Sequence, residues 1–406
     1  MERKQFIEHV IEQARSLPVS SVLSSRIRGM VRKGAHEFAL CPFHNDRKLG
    51  SFVISDRKKI WKCFSCGVGG DTVKFISLYD GVNYLEAAFR IALEFGLISQ
   101  REYDEYYANR RYRKADIERI QRKYEIMNKE KFENDIADNE TLDKVFRTFI
   151  ECCSLSEKHK EYLMKKRNLS EKEIQDGLYF TFPTRSIMKG FSKKIREEFG
   201  SEEVLGRVPG FYKEESRKIP GTKIFTFVKH KGIGIGIKNA FGQVVGIQIR
   251  HDFDNEADKG SRYVWFSSSF AMYDEKYECG TSSGSPVDVV YPEEITNQTV
   301  FITEGRFKAQ QIAKETGSIA ISVQGVGSWK GILKEMELIP KSLICKERYK
   351  KGTYKIHCVL LAFDADTYKY QLAEQIRKMS DQLEEKMFHV YYLNWSEDIG
   401  KGIDDV

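Results

Sequence analysis

Four metal-binding side chains at two short spacings constrain this chain more than any other feature. Two residues separate Cys41 from His44, and two residues separate Cys63 from Cys66, which gives the pattern C-x2-H…C-x2-C. Each pair can bind one ion from a tight turn, and three thiolates with one imidazole form the closed tetrahedral set of a structural zinc site. The pattern therefore predicts a zinc ribbon whose metal stabilises the fold and carries out no chemistry.

The residues around these ligands predict strands first and helices afterwards. Strands are predicted at 51–55 and 58–64, joined by a turn at Asp56-Arg57. After Cys66 the run GVGGD allows a tight turn, and apolar residues then recur at helical spacing. The alternative is that the four ligands are unrelated buried side chains. The paired spacing favours metal, because cysteines in a reducing compartment rarely form disulfides.

Length and charge exclude some classes of protein. The chain has 406 residues, which predicts two to four domains at roughly 150 residues each. Its 66 Lys and Arg against 59 Asp and Glu give a net charge of +7, which is weak evidence for a polyanionic partner. The charged N-terminus is unlike a signal peptide, and no apolar run approaches the roughly 18 residues of a membrane span. We therefore expect a cytoplasmic protein with no membrane partner.

Positive charge is concentrated around the predicted ribbon. Between Ser24 and Lys62 there are ten Lys or Arg residues and three acids. Aromatic residues among them could stack on unpaired bases while the cations neutralise phosphates, a combination that suits single-stranded nucleic acid. The alternative is a solvated charged surface with the aromatic residues packed around the metal. The residues predicted here to contact DNA are Arg47, Lys48, Lys58, Lys59 and Trp61.

Three carboxylates follow predicted buried strands in the last third of the chain. One strand ends at Glu304-Gly305, and another ends at Asp364-Ala365-Asp366. Alternating strands and helices predict a parallel sheet, in which binding sites gather at the carboxyl ends of the strands. The three acids together predict a divalent-metal site for phosphoryl transfer, with both aspartates on one side of an extended segment. The alternative is that they only begin the helices that follow.

These motifs resemble those of a known family. CPFH and WKCFSCGVGGD resemble the zinc-binding domain of the DnaG-type primases, YLMKKRNLS and GQVVG resemble parts of their catalytic core, and E-G followed by D-x-D resembles their TOPRIM fold. The predicted fold class is an α+β multidomain protein with an N-terminal zinc ribbon, a helical linker, and a mixed α/β primase core containing a TOPRIM-type parallel sheet. The resemblance implies all of these except the linker, which it leaves unmatched. Residues 101–138 predict the linker themselves, because mixed charge without Gly or Pro indicates an exposed helical connector. The predicted boundaries are 1–100 for the ribbon domain, 101–150 for the charged linker, 151–290 for the N-terminal part of the core, and 291–406 for the TOPRIM domain.

The resemblance also implies an activity and its residues. DnaG-type primases synthesise short RNA primers on single-stranded DNA from nucleoside triphosphates, and a replicative helicase acting in trans is a candidate partner. The implied cofactors are structural Zn2+ and catalytic Mg2+ or Mn2+. By resemblance, Glu304, Asp364 and Asp366 are the catalytic metal-binding residues, and Asp404 is a further ligand. The residues implied to bind nucleic acid or nucleotide in the core are Arg250, Lys259 and Arg262.

Two features depart from the family pattern. Lys308 stands where these primases commonly have an acid, four residues after the motif glutamate, so we expect one fewer ligand or one fewer ion. The sequence ends at Val406 without a helicase-binding domain, which favours a phage or mobile-element member. Two alternatives remain: a non-catalytic DNA-binding protein of replication control, or another TOPRIM enzyme such as a nuclease. A topoisomerase would need a tyrosine nucleophile on additional domains.

Overall fold

The computed structural model contains two compact units, Met1–Asp135 with Tyr273–Lys276 and Ile136–Met272 with Tyr277–Val406. It describes residues 3–33, 36–44, 46, 49–63, 66, 68–108, 112–133, 136–216, 219–252, 262–272, 276–324, 329, 331–364 and 371–393. Five of the predicted site residues lie outside the described residues: Arg47, Lys48, Lys259, Asp366 and Asp404. Within the described part, no helix has both the length and the apolar character needed to cross a membrane.

The first unit combines an antiparallel ribbon with helices that precede and follow it in the chain. The strands pair in the order β1 (Val31–Lys33), β2 (His36–Ala39), β3 (Phe52–Ser55), β4 (Ile60–Cys63) and β5 (Gly69–Gly70). The helices are α1 (Arg3–Ser16), α2 (Val19–Ser24), α3 (Thr72–Tyr79), α4 (Tyr84–Glu94), α5 (Gln100–Tyr103) and α6 (Lys114–Glu133). The predicted strand pair is therefore β3 and β4, and the predicted helical spacing belongs to α3 and α4.

Asp71, the last residue of the GVGGD run, connects the ribbon to the helices. Its carboxylate accepts hydrogen bonds from the Lys74 backbone N–H, the Arg15 side chain and the Tyr84 hydroxyl, each at 2.8 Å. The Trp61 indole donates to its backbone carbonyl at 2.9 Å. Because Arg15 and Asp71 are both buried, their charges are tolerated only when paired and hydrogen-bonded. This one residue therefore holds α1, β4, α3 and α4 together.

The predicted linker at 101–150 is divided between the two units. Helix α6 buries Tyr124 in the core of the first unit, where the side chain is 1% exposed. Helix α7 (Asn139–Glu151) belongs to the second unit, where it buries Phe146 and Phe149 completely. The prediction of an exposed connector relied on mixed charge without Gly or Pro. The observed boundary instead follows the apolar side chains, because each helix has an apolar face that packs into its own core.

The second unit begins with helices and an antiparallel sheet. Its helices are α7, α8 (Glu157–Arg167), α9 (Glu171–Asp176) and α10 (Met188–Phe199). The sheet order is β11 (Tyr263–Trp265), β10 (Val244–His251), β9 (Gly232–Lys238) and β6 (Tyr179–Thr181), and β7 (Phe211–Glu215) pairs with β8 (Lys223–Phe227). The turn at 239–242 joins β9 to β10. Gly242 there has φ +75°, a backbone conformation that glycine adopts without the cost of a Cβ.

The second unit also contains a five-stranded sheet that is mostly parallel. Its order is β12 (Asp288–Val290), β14 (Ile319–Val323), β13 (Thr299–Glu304), β15 (Cys358–Ala362) and β16 (His389–Tyr392), and only β12 is antiparallel to its neighbour. The helices are α11 (Arg306–Thr316), α12 (Ile332–Leu338), α13 (Leu343–Arg348) and α14 (Gln371–Glu385). Alternating strands and helices thus produce the predicted parallel sheet with its strand ends on one edge.

Arg306, the first residue of α11, ties the two sheets of this unit together. It is 3% exposed and pairs with Asp288 of β12, which is 1% exposed. The guanidinium also donates to the backbone carbonyl of Gly177 at 3.1 Å and to that of Gly236 at 2.6 Å. Apart from Tyr273–Lys276, regions 151–290 and 291–406 belong to one compact unit. The start of α11, which follows Glu304 directly, is fixed by buried bonds to both sheets.

Candidate active site

Glu304 and Asp364 lie at the carboxyl ends of neighbouring parallel strands. Glu304 is the last residue of β13, and Thr303 before it is in register with Ala362, the last residue of β15. Asp364 follows Ala362 by two residues, so the two acids stand at the same edge of the sheet. Both side chains are partly buried. Carboxylate oxygens at such an edge are suitable ligands for Mg2+ or Mn2+.

Lys308 contacts one of these acids directly. It lies in the first turn of α11, four residues after Glu304, and its ammonium group donates to Oδ1 of Asp364. The two side chains are 16% and 13% exposed, so solvent screens this ion pair less than it screens a surface pair. The lysine that stands at this position in place of the family's usual acid therefore forms an ion pair within the predicted metal site. A protein cation binds an oxygen of a carboxylate that was predicted to bind metal.

Gln324 is a third residue at this edge, and no feature of the sequence alone selects it. It follows β14, whose Val323 is in register with Glu304. Its side-chain oxygen Oε1 is buried and has no hydrogen-bond partner among the described residues. A buried acceptor without a donor is costly, so its presence suggests a cation or another ligand. A carboxamide oxygen is also a suitable ligand for a hard divalent ion.

The zinc-ligand set is assembled in the first unit. The ligand atoms of Cys41, His44, Cys63 and Cys66 all lie within 4.8 Å of one another. Cys41 Sγ is 3.9 Å from Cys66 Sγ, and Cys63 Sγ is 3.9 Å from His44 Nδ1. Zn–S bonds of about 2.3 Å in a tetrahedron separate the sulfurs by about 3.8 Å, so the set fits zinc. The hydrogen bond with Cys63 raises the pKa of the Cys41 thiol, which favours its protonated form. A bound cation would be needed to stabilise the thiolate that ligates zinc.

Trp61 does not lie where the DNA-contact prediction requires. It is fully buried, and its ring packs against Phe43 at 5.2 Å, Phe52 at 5.2 Å and Phe75 at 5.4 Å between centroids. Stacking on a base requires an exposed ring face. The structure therefore corrects the assignment of Trp61 as a DNA-contacting residue. The alternative, in which aromatic residues pack beside the metal, holds for Trp61 and Phe52.

Three of the basic residues predicted to bind nucleic acid, Lys58, Lys59 and Arg262, are more exposed to solvent than Trp61. Lys58 and Lys59 lie in the turn between β3 and β4, where Lys59 is exposed and Lys58 is partly buried. Arg262 in the second unit is also exposed, and its carbonyl accepts a hydrogen bond from the His251 N–H at 2.8 Å. Their positions are compatible with contacts to phosphate.

Arg250 is part of a cluster of arginines and aromatic rings. Its guanidinium lies 4.3 Å from the centroid of the Tyr162 ring, and Arg167 lies 5.7 Å from that ring and 4.6 Å from the ring of Phe307. Arg250 Nε is buried without a hydrogen-bond partner among the described residues. Burial raises the pKa of the neighbouring Tyr263, although both arginines act in the opposite direction. Each of the two guanidiniums is stacked on an aromatic ring, which restricts its orientation. Arginine side chains held in this way are suited to binding phosphate.

Sequence comparisons agree with the ribbon and extend beyond it. Residues 3–107 match the family described as the CHC2 zinc finger of DnaG, and residues 292–406 match a family described as a domain of unknown function, DUF3854. A DNA primase of Rickettsia prowazekii (strain Madrid E) is 27% identical over 237 residues, which is 56% of this chain. Over these stretches the chain is similar to the DnaG-type primases. The predicted resemblance is confirmed, as is the predicted α+β multidomain fold class with an N-terminal zinc ribbon and a mixed α/β core.

The similarity to each relative covers only part of that relative. The Rickettsia primase is matched over 32% of its length. A DNA primase of Aquifex aeolicus (strain VF5) is 41% identical over 85 residues, which is 21% of this chain and 17% of the relative. The solved zinc-binding and RNA polymerase domains of the Aquifex aeolicus primase have 18% identity and a TM-score of 0.42, covering 98% of this chain and 80% of that one.

Proposed function

We propose that this protein is a DNA primase that synthesises short RNA primers on single-stranded DNA from nucleoside triphosphates. The observation that carries the proposal is the combination, in one chain, of a CHC2 zinc ribbon with Glu304 and Asp364 at the carboxyl edge of a parallel sheet. A DNA-binding protein of replication control would need the ribbon but would have no use for paired carboxylates. A nuclease would need the carboxylates but no template-reading ribbon.

The proposed roles follow from the chemistry of the side chains. Glu304 binds Mg2+ or Mn2+, with Asp366 and Asp404, which lie outside the described residues, as further proposed ligands. Asp364 is also a predicted ligand, but its Oδ1 is bonded to Lys308. The bound metal neutralises charge on the reacting phosphate and leaving pyrophosphate. Zinc remains structural, because its four ligands all come from the protein. The proposed phosphate-binding residues are Arg250, Lys259 and Arg262 in the core, and Arg47, Lys48, Lys58 and Lys59 in the ribbon.

Primer synthesis by the wild-type protein is the direct test. Zinc-loaded protein is incubated with single-stranded DNA, labelled ribonucleoside triphosphates and either Mg2+ or Mn2+. We expect short labelled products that require the template and are destroyed by ribonuclease, and a parallel reaction with deoxynucleotides measures sugar preference. The absence of template-dependent product with both metals would contradict the proposal. Shortening of end-labelled template without product would instead identify a nuclease.

Arg250→Met should weaken binding of single-stranded DNA by roughly tenfold, because it removes a phosphate-binding guanidinium and keeps an apolar side chain over Tyr162. The slope of log affinity against log salt concentration should also fall by about 0.7. Fluorescence anisotropy at several salt concentrations measures both. Arg196→Met is the matched control, since Arg196 is exposed on α10 and pairs with Glu202. Equal affinities for the two variants would remove Arg250 from the proposed interface.

A further inference from the structure

At the carboxyl edge of the parallel sheet, the polar groups after β15 and after β14 differ in charge. Three oxygen-bearing side chains follow three adjacent strands: Gln324 follows β14, Glu304 ends β13, and Asp364 follows β15. On the β15 side, the ammonium of Lys308 is bonded to Asp364. On the β14 side, the oxygen of Gln324 is buried and has no donor among the described residues. One side of Glu304 therefore has a protein cation, whereas the other side has an unsatisfied acceptor.

The ion pair limits what else can bind to Asp364. A divalent cation at this carboxylate would share the oxygens with the ammonium and would be repelled by it at contact distance. Because Lys308 and Asp364 are mostly buried, solvent weakens that repulsion only in part. On the other side of Glu304, the carboxamide of Gln324 contributes an oxygen ligand without adding a positive charge. A single divalent ion is therefore best accommodated towards β14.

We propose that Lys308 is a fixed cation that replaces one of the two divalent metals common in phosphoryl-transfer sites, so that this edge binds a single Mg2+ or Mn2+ ion with Glu304 and Gln324. The inference rests on the proposed function, since it concerns the metal site of the proposed primase. Lys308 neutralises Asp364, at the place where a second divalent ion would otherwise bind. Gln324 becomes a metal ligand beside Glu304, in the place of the predicted ligand Asp364.

A count of bound Mn2+ tests the inference without relying on activity. Zinc-loaded protein is titrated with Mn2+, and free Mn2+ is measured by its electron paramagnetic resonance signal. We expect one bound ion in the wild type and two in Lys308→Asp, in which an acid replaces the ammonium. Gln324→Leu should bind its single ion about tenfold more weakly, because one oxygen ligand is lost. Lys314→Asp is the control on the same helix and should bind one ion.

Lys308→Met provides a second test if Lys308→Asp does not fold. It removes the ammonium without adding a carboxylate, so Mn2+ affinity should rise about tenfold or a second, weaker ion should appear. Two bound ions in the wild type, or unchanged binding in both folded Lys308 variants, would overturn the inference. A wild-type count of zero would overturn it and would also remove the metal site from the proposed function. Failure of the primase proposal alone would appear separately, as absent primer synthesis with the expected Mn2+ counts.

Discussion

Glu304→Gln is expected to reduce primer synthesis by roughly 1,000-fold or more, because it removes the negative charge from the central carboxylate of the proposed metal site. The substitution keeps the size of the side chain and its place at the end of β13. Thermal unfolding and binding of single-stranded DNA should therefore change little, while Mn2+ binding is lost. The rate is measured as labelled primer formed per protein under saturating template and nucleotide.

Glu315→Gln is the matched control for this prediction. Glu315 is an exposed residue near the C-terminal end of α11, so the same chemical change there is expected to leave synthesis at the wild-type rate. Normal synthesis by folded Glu304→Gln would contradict the assignment of Glu304. An equal loss in both variants would indicate an effect of net charge or of helix stability instead of a specific effect on metal binding.

The features that are predicted best from the sequence are those that depend only on residues close together along the chain. Cys41 and His44 must lie close together because two residues separate them, and the same is true of Cys63 and Cys66. The acid Glu304 after an apolar run could be placed at a strand end because a glycine and a helical pattern follow it. Such features need no knowledge of which elements pack together.

Features that depend on distant partners were predicted less well. The position of Trp61 beside several cations suggested a surface role, but its burial depends on Phe75 and on the backbone of Asp71, which belong to the next helix and its cap. The boundary between α6 and α7 has no signal in the sequence for the same reason, since charge and the absence of Gly and Pro describe helices but do not identify the core that each one joins.

The chemistry around the acids shows the same limit. Lys308 was recognised as a departure, but its partner Asp364 lies 56 residues away, and only the parallel register brings them together. Gln324 gave no signal in the sequence because a neutral amide in a glycine-containing turn is common. Its importance arises from an oxygen that the fold buries with no donor in the part of the chain that the structure describes. Residues of this kind can be selected only after the strand order is known.

Cys63→Ser is expected to abolish zinc binding and to unfold the first unit while the second unit stays folded. The Cys63 side chain is fully buried at the end of β4, and a serine hydroxyl does not replace a zinc-bound thiolate. Structural zinc contributes roughly 10 kcal/mol or more in small ribbon domains, which is comparable to the whole free energy of unfolding of a typical domain. Zinc content by mass spectrometry and unfolding by calorimetry should show the loss of one ion and of one transition.

A control variant and a chelator distinguish the loss of zinc from the effect of replacing any cysteine by serine. Cys279→Ser changes an exposed thiol and should retain zinc and both unfolding transitions, whereas a chelator added to the wild type should reproduce Cys63→Ser. Near-stoichiometric zinc in Cys63→Ser would refute the ligand assignment. Because the second unit has its own hydrophobic core, Cys63→Ser should also retain the single Mn2+ site. If zinc stabilises the fold of the ribbon and the divalent ion takes part in catalysis, Glu304→Gln should give the opposite result: it should retain zinc and lose Mn2+.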